Sequence, residues 1–119
     1  MRRSELAKKI RKILKENYPE TEFSVCYEDK GIRIEWINNP VMEELSRKLQ
    51  DYGIERSMFY LTHNFSDEAW LNAAIWVAGR YHLPVPTVDD RGGAWGERML
   101  DGVRPAWIAT WLRMERLFE

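Results

Sequence analysis

At 119 residues, with 45% hydrophobic and 31% charged side chains, the chain is sized for one domain with a real core, and its composition is neither that of a disordered segment nor that of a membrane protein. The single cysteine, Cys26, excludes an internal disulfide, and the basic start is followed by no unbroken apolar run of the kind a secretory leader carries, so a cytosolic protein is expected. The formal charge of −1 hides an asymmetry: residues 1–18 hold seven Lys/Arg against two Glu, and the remainder is net −6, a pattern compatible with nucleic acid, an acidic partner or the protein's own acidic surface.

A first helix is predicted over Ser4–Asn17. Leu6, Ile10, Ile13 and Leu14 fall on one face, while Lys8, Lys9, Arg11, Lys12 and Lys15 form a basic set directed outward. Ser4 is a suitable N-cap, and Tyr18-Pro19 ends the helix. Residues 22–37 then read as a β-hairpin. Phe23, Val25 and Tyr27 alternate with polar residues in one arm, and Ile32, Ile34 and Trp36 do so in the other. Asp29-Lys30-Gly31 links them, with Gly where a tight turn needs positive φ. Asn39 and Pro40 are read as the cap and first position of a second helix running to about Tyr52, with Met42, Leu45, Leu49 and Tyr52 as its apolar stripe and Gly53 as its stop.

Residues 57–62 are apolar and aromatic and are read as a third strand beside the hairpin. Ser66 caps a third helix reaching Tyr81. It is apolar nearly all round, with Trp70, Ala73, Ala74, Val77 and Ala78 on one side and Leu71, Ile75 and Trp76 on another, so burial on every side is expected. Leu83–Gly102 is irregular: Pro84 and Pro86 stiffen its start, and Asp89-Asp90-Arg91-Gly92-Gly93 reads as an exposed loop. A last helix runs from about Pro105 to Phe118, with Trp107, Trp111, Met114 and Phe118 spaced as one core face. The expected fold is a single α+β domain over residues 1–119, in which a small antiparallel sheet packs against about four helices.

Motifs of catalysis are missing. There is no Walker loop, dinucleotide fingerprint, Cys pair or His-x-x-x-His, so no cofactor, metal or enzymatic activity is expected. His63 and His82 stand apart and read as locally partnered; Asp89 and Asp90 with Glu97 or Asp101 match no known cation loop; Cys26 reads as an inert thiol. Trp95 is either a plug closing the core or an exposed anchor. Arg and Trp are enriched among interface anchors, so Arg91 and Trp95, with Asp89 and Asp90, are the expected contact residues for a protein partner. The alternative site is the basic face of the first helix, Lys8, Lys9, Arg11, Lys12 and Lys15, acting on nucleic acid.

The run Phe23-Ser24-Val25, then Ile32-Arg33-Ile34-Glu35-Trp36, then Asn39-Pro40 and an acidic helix, resembles the signature of a large polyvalent-protein-associated domain family of phages and conjugative elements. The resemblance spans about residues 6–52, with Asn39 standing where the family usually has Gly. Its motif residues determine fold and none is catalytic. It implies a mobile-element origin, and roles such as protecting incoming DNA or countering host defences; together with the small size and the missing catalytic motifs, it leads to an expected function of binding a protein, such as a component of a host CRISPR or restriction complex.

Overall fold

A computed structural model describes residues 3–29 and 31–119, so Lys30 of the predicted turn lies outside the described residues. The chain divides into two compact units, Met1–Asn64 and Phe65–Glu119.

In the first unit, helix α1 (Arg3–Asn17) is followed by strands β1 (Ser24–Glu28) and β2 (Gly31–Ile37), helix α2 (Met42–Asp51), a 3-10 turn at Arg56–Met58 and strand β3 (Phe59–Asn64). The α+β class expected from the sequence is the observed one. The sheet is mixed, however, where an antiparallel one was expected. In the order β1-β2-β3, β1 pairs antiparallel with β2, and β3 pairs parallel with it, Ile32 opposite Phe59 and Trp36 opposite His63. A parallel partner needs a crossover, and α2 supplies it. The third strand also starts two residues later than predicted, because Ser57 and Met58 belong to the 3-10 turn.

Period two in the sequence becomes two faces of this sheet. Val25, Ile32, Ile34, Trp36, Phe59 and His63 are buried on the inner face, against Leu6, Ile10, Ile13 and Leu14 of α1 and Leu45 and Leu49 of α2. Trp36 is the largest of the most deeply buried side chains. Its indole N–H donates to the Pro40 carbonyl at 2.7 Å, and its ring stacks on His63 with centroids 4.7 Å apart. Gly31 sits at φ +138°, and a Cβ there would lie 3.0 Å from the Met58 carbonyl oxygen, so both backbone conformation and close approach exclude a side chain.

Two predicted caps are displaced. α1 begins at Arg3, which puts Ser4 inside its first turn. α2 is capped by Val41, with no side-chain hydrogen bond. Pro40 is buried after a cis peptide bond and uses its carbonyl for Trp36, so Asn39 and Pro40 stand outside the helix. The stop at Gly53 is as expected, with φ +85° and its N–H on the Gln50 carbonyl.

In the second unit, α3 (Asp67–Tyr81) leads through 3-10 turns at Val88–Asp90 and Ala94–Glu97 and a two-stranded ribbon, β4 (Met99–Leu100) with β5 (Arg104–Pro105), to α4 (Ala106–Leu117). Ser66 caps α3 as predicted, accepting from the Ala69 N–H at 3.1 Å. The two helices form a hairpin whose seam is made of small residues: Ala69, Ala73, Ala74, Val77 and Ala78 on one, Ala106, Ala109 and Thr110 on the other, ending in Met114. Alanine seams bring helix axes close and leave no room for indoles. Two expectations fail on this point. α3 is not covered on every side, since Ile75 and Trp76 are exposed. On α4 Met114 is buried and Phe118 packs on the core as expected, but the first half of the stripe falls to Ala106, Ala109 and Thr110, leaving Trp107 53% exposed and Trp111 37%.

Two outcomes follow for the first unit. Trp36→Ala removes a buried indole, its hydrogen bond and its stack, and should cost about 3–5 kcal/mol in a urea titration; a loss below about 1 kcal/mol would show that the inner face is not held by this residue. The Tyr18 hydroxyl is shielded from solvent and has no hydrogen-bond partner among the described residues. Burial, and secondarily Glu44, push its pKa up from 10.0 to about 12. Because the folded state holds this proton more tightly than the unfolded chain, the associated stability is complete below pH 10 and is lost from there towards pH 12. Tyr18→Phe should therefore leave stability at pH 7 unchanged or raise it by up to about 1 kcal/mol, and flatten the decline above pH 10.

Candidate functional site

The residues that the sequence nominates for partner contact serve the architecture of the second unit. Asp90 closes the 3-10 turn, its carboxylate accepting from the Thr87 N–H at 2.7 Å in a reciprocal capping box. Arg91 donates to the Asp67 carboxylate and to the Phe65 carbonyl, both at 2.9 Å, and so ties the loop to the start of α3. It does this in place of the pairing with Asp89 or Asp90 that its sequence neighbourhood suggests. Trp95 is 6% exposed, meets Trp70 edge-to-face at 5.8 Å and donates its indole N–H to the Pro84 carbonyl at 2.8 Å. Of its two readings the plug describes its position, and it presents no surface for docking. Asp89 is exposed, away from these contacts.

The basic face of α1 is where the periodicity placed it. Lys8, Lys9, Lys12 and Lys15 are exposed and form no ion pair among the described residues. Arg11 differs, because its guanidinium donates to the Val25 carbonyl of β1 at 2.9 Å. His63 packs on Trp36, and His82 takes the left-handed C-cap of α3. No group of three or more His, Cys, Asp or Glu able to hold a metal ion occurs among the described residues, and no helix among them is long and apolar enough to cross a membrane.

On the outer face of the sheet, Glu28 pairs with Arg33 at 3.2 Å and accepts from the Tyr60 hydroxyl, whose pKa that bond raises. This cluster spans all three strands.

The helical hairpin carries the surface that the sequence reading missed. Trp76 stands 43% exposed on α3, and the Arg113 guanidinium of α4 lies over its ring, 4.4 Å from the centroid. Beside them opens a cavity of about 340 Å³ walled by Trp76, Tyr81, Arg104, Leu112, Arg113 and Arg116. A shallower depression shares Trp76 and Arg116 and extends the surface to Ile75, Gly79 and Arg80. Exposed Leu112 and Ile75 add apolar area. Arg104 donates to the Tyr81 hydroxyl at 3.4 Å, whereas Arg80, Arg113 and Arg116 form no ion pair among the described residues. The Arg113 Nε–H is enclosed, with no acceptor among the described residues. Indole, leucine and several arginines in one concavity are the residue types common at interface centres. The second apolar side of α3, Leu71, Ile75 and Trp76, was its signal in the sequence; read as buried, it did not suggest a surface.

Comparison with known proteins gives one family. A family model described as large polyvalent protein associated domain 29 matches residues 1–77, which takes in the whole first unit and most of α3. No curated protein and no solved structure matches the chain. The match spans well over half of the chain and contains the Phe-Ser-Val strand, the strand ending in Trp36 and the Asn39-Pro40 turn into α2, and the chain therefore belongs to the large polyvalent protein associated domain 29 family, a phage- and mobile-element-associated family.

Proposed function

We propose that this is a non-enzymatic accessory protein of a phage or other mobile element, acting by binding another protein through the Trp76–Leu112 surface of the α3–α4 hairpin. The observation that carries this reading is the exposure of large apolar groups at that surface: Ile75 is 46% exposed, Trp76 43% and Leu112 49%, beside a cavity edged by arginines. Exposed aromatic and aliphatic side chains next to Arg are the usual makings of an interface centre. A component of a host defence system is the partner class that suits a mobile-element protein of this kind, as an inhibitor of the anti-CRISPR or antirestriction type.

A second reading rests on a different observation. The exposed Lys8, Lys9, Lys12 and Lys15 of α1 form a compact positive face suited to phosphate contacts, and nucleic acid is the partner it would take.

Both readings are open to direct test. The tagged chain and a Trp76→Ala/Leu112→Ser variant are each used to capture proteins from a host lysate. Both substitutions are at exposed positions, so stability should stay within about 1 kcal/mol. A purified partner should bind the wild type and lose about tenfold or more in affinity for the variant. Equal binding to both would remove this surface as the site. For α1, affinity for DNA or RNA should fall steeply with added salt and vanish in Lys8→Glu/Lys12→Glu/Lys15→Glu. Absence of binding to single- and double-stranded nucleic acid at low salt would end that reading.

A further inference from the structure

We infer that the cavity on the α3–α4 hairpin is a carboxylate-recognition site, and that its occupant is a segment of a partner protein carrying Asp or Glu beside an aliphatic residue. The inference rests on the protein-binding reading above and adds the chemistry of the partner.

Charge sets the sign of the ligand. The cavity and its adjoining depression draw four arginines, Arg80, Arg104, Arg113 and Arg116, against two glutamates, Glu115 and Glu119. Arg113 is pre-positioned. Its guanidinium carbon lies 4.4 Å from the Trp76 ring centroid, a cation–π contact that reduces the rotamer freedom lost on binding. A planar guanidinium held in this way matches the two oxygens of a carboxylate. Arg116 lies on the wall shared by both concavities and supplies a second cation to the same region.

Shape and apolarity set the rest. Leu112 and the Trp76 ring give one wall a non-polar surface, which suits an aliphatic side chain next to the carboxylate. At about 340 Å³ the space lies at the small end of ligand cavities, a size for side chains. Polyphosphate backbones fit less well. Glu115 and Glu119 line the same cavity and oppose a run of negative charges, and one face of the Trp76 indole is already occupied by Arg113 and is closed to a nucleic-acid base.

The experiment uses the full chain labelled with 15N, following the Trp76 indole and arginine Nε–H signals. Three probes are titrated: a capped Glu-Leu-Glu tripeptide, its Gln-Leu-Gln counterpart, and a short oligothymidylate. The acidic tripeptide should give saturable shifts at Trp76 and Arg113 with Kd on the order of 1 mM or tighter. The neutral tripeptide should bind at least about fivefold more weakly. Arg116→Gln, at an exposed position, should weaken the acidic tripeptide by a similar factor with the backbone spectrum unchanged, and Trp76→Ala should abolish the effect. No saturable shift up to about 10 mM, equal binding of the two tripeptides, tighter binding of the oligothymidylate, or an unchanged affinity in Arg116→Gln would each overturn the proposal. The protein-binding reading fails separately. A partner lost on Trp76→Ala/Leu112→Ser while the tripeptides bind equally would keep the interface and discard its carboxylate chemistry.

Discussion

The first unit depends on the placement of one indole. Trp36 belongs to the middle strand, stacks on His63 of the parallel neighbour, lies 6.0 Å from the Phe23 ring and donates to the carbonyl of Pro40, the residue that turns the chain towards α2. A buried indole N–H needs an acceptor, and here the Pro40 carbonyl, outside regular structure, supplies it. This requirement explains why α2 starts at Met42 although Asn39-Pro40 carries good capping chemistry. The tertiary contact overrides the local preference, and the segment that follows Trp36 is fixed in position by it.

Much of this unit was legible in the sequence because strict alternation leaves one reading. Ile32, Ile34 and Trp36 can only share a face, and that face is buried. The direction of β3 was not legible, because the apolar pattern of a short strand is the same whichever way it runs. Only the ten-residue α2 lying between β2 and β3, long enough for a crossover, separates the two cases. In the second unit, helical periodicity placed Met114 and Phe118 of α4 on the core correctly, but put Trp107 and Trp111 where Ala106, Ala109 and Thr110 form the seam. Trp107 and Trp111 outweigh Ala106 and Ala109 in any hydrophobic ranking, yet close packing against an alanine-rich helix selects the smaller residues. The candidate site escaped for the same reason. Trp76 on a helix that seemed apolar all round reads as core until the seam is known. Arg91 and Trp95 are engaged locally, since residue types typical of interfaces are also those best able to pin a loop through a guanidinium fork or an indole N–H.

Positive charge is used in two different ways in the two units. On α1 it is carried mainly by lysines, long, mobile and hydrated, spread along one exposed face. On the helical hairpin it is carried by arginines set around aromatic rings, one of them in cation–π contact. The first arrangement attracts at a distance and discriminates little, and salt screens it. Guanidinium groups of the second kind act at contact range, where shape counts as well as charge. The small overall net charge of the chain therefore conceals two surfaces with separate physical properties.

The parallel pairing of β2 with β3 also sets an order of assembly. β1 and β2 are joined by a tight link and can zip together locally, whereas Ile32 meets Phe59 only across the whole of α2. Closing that loop costs chain entropy before any ladder bond is gained, so non-local pairs of this kind form late. Until β3 arrives, β2 has an open edge and the inner residues Ile34 and Trp36 lack one neighbouring row. α1, which precedes the hairpin directly and packs on both of its strands, is the element available to shield that surface in the interval. Because α1 packs on both hairpin strands, this part of the inner face can be covered by contacts local in sequence, without waiting for β3.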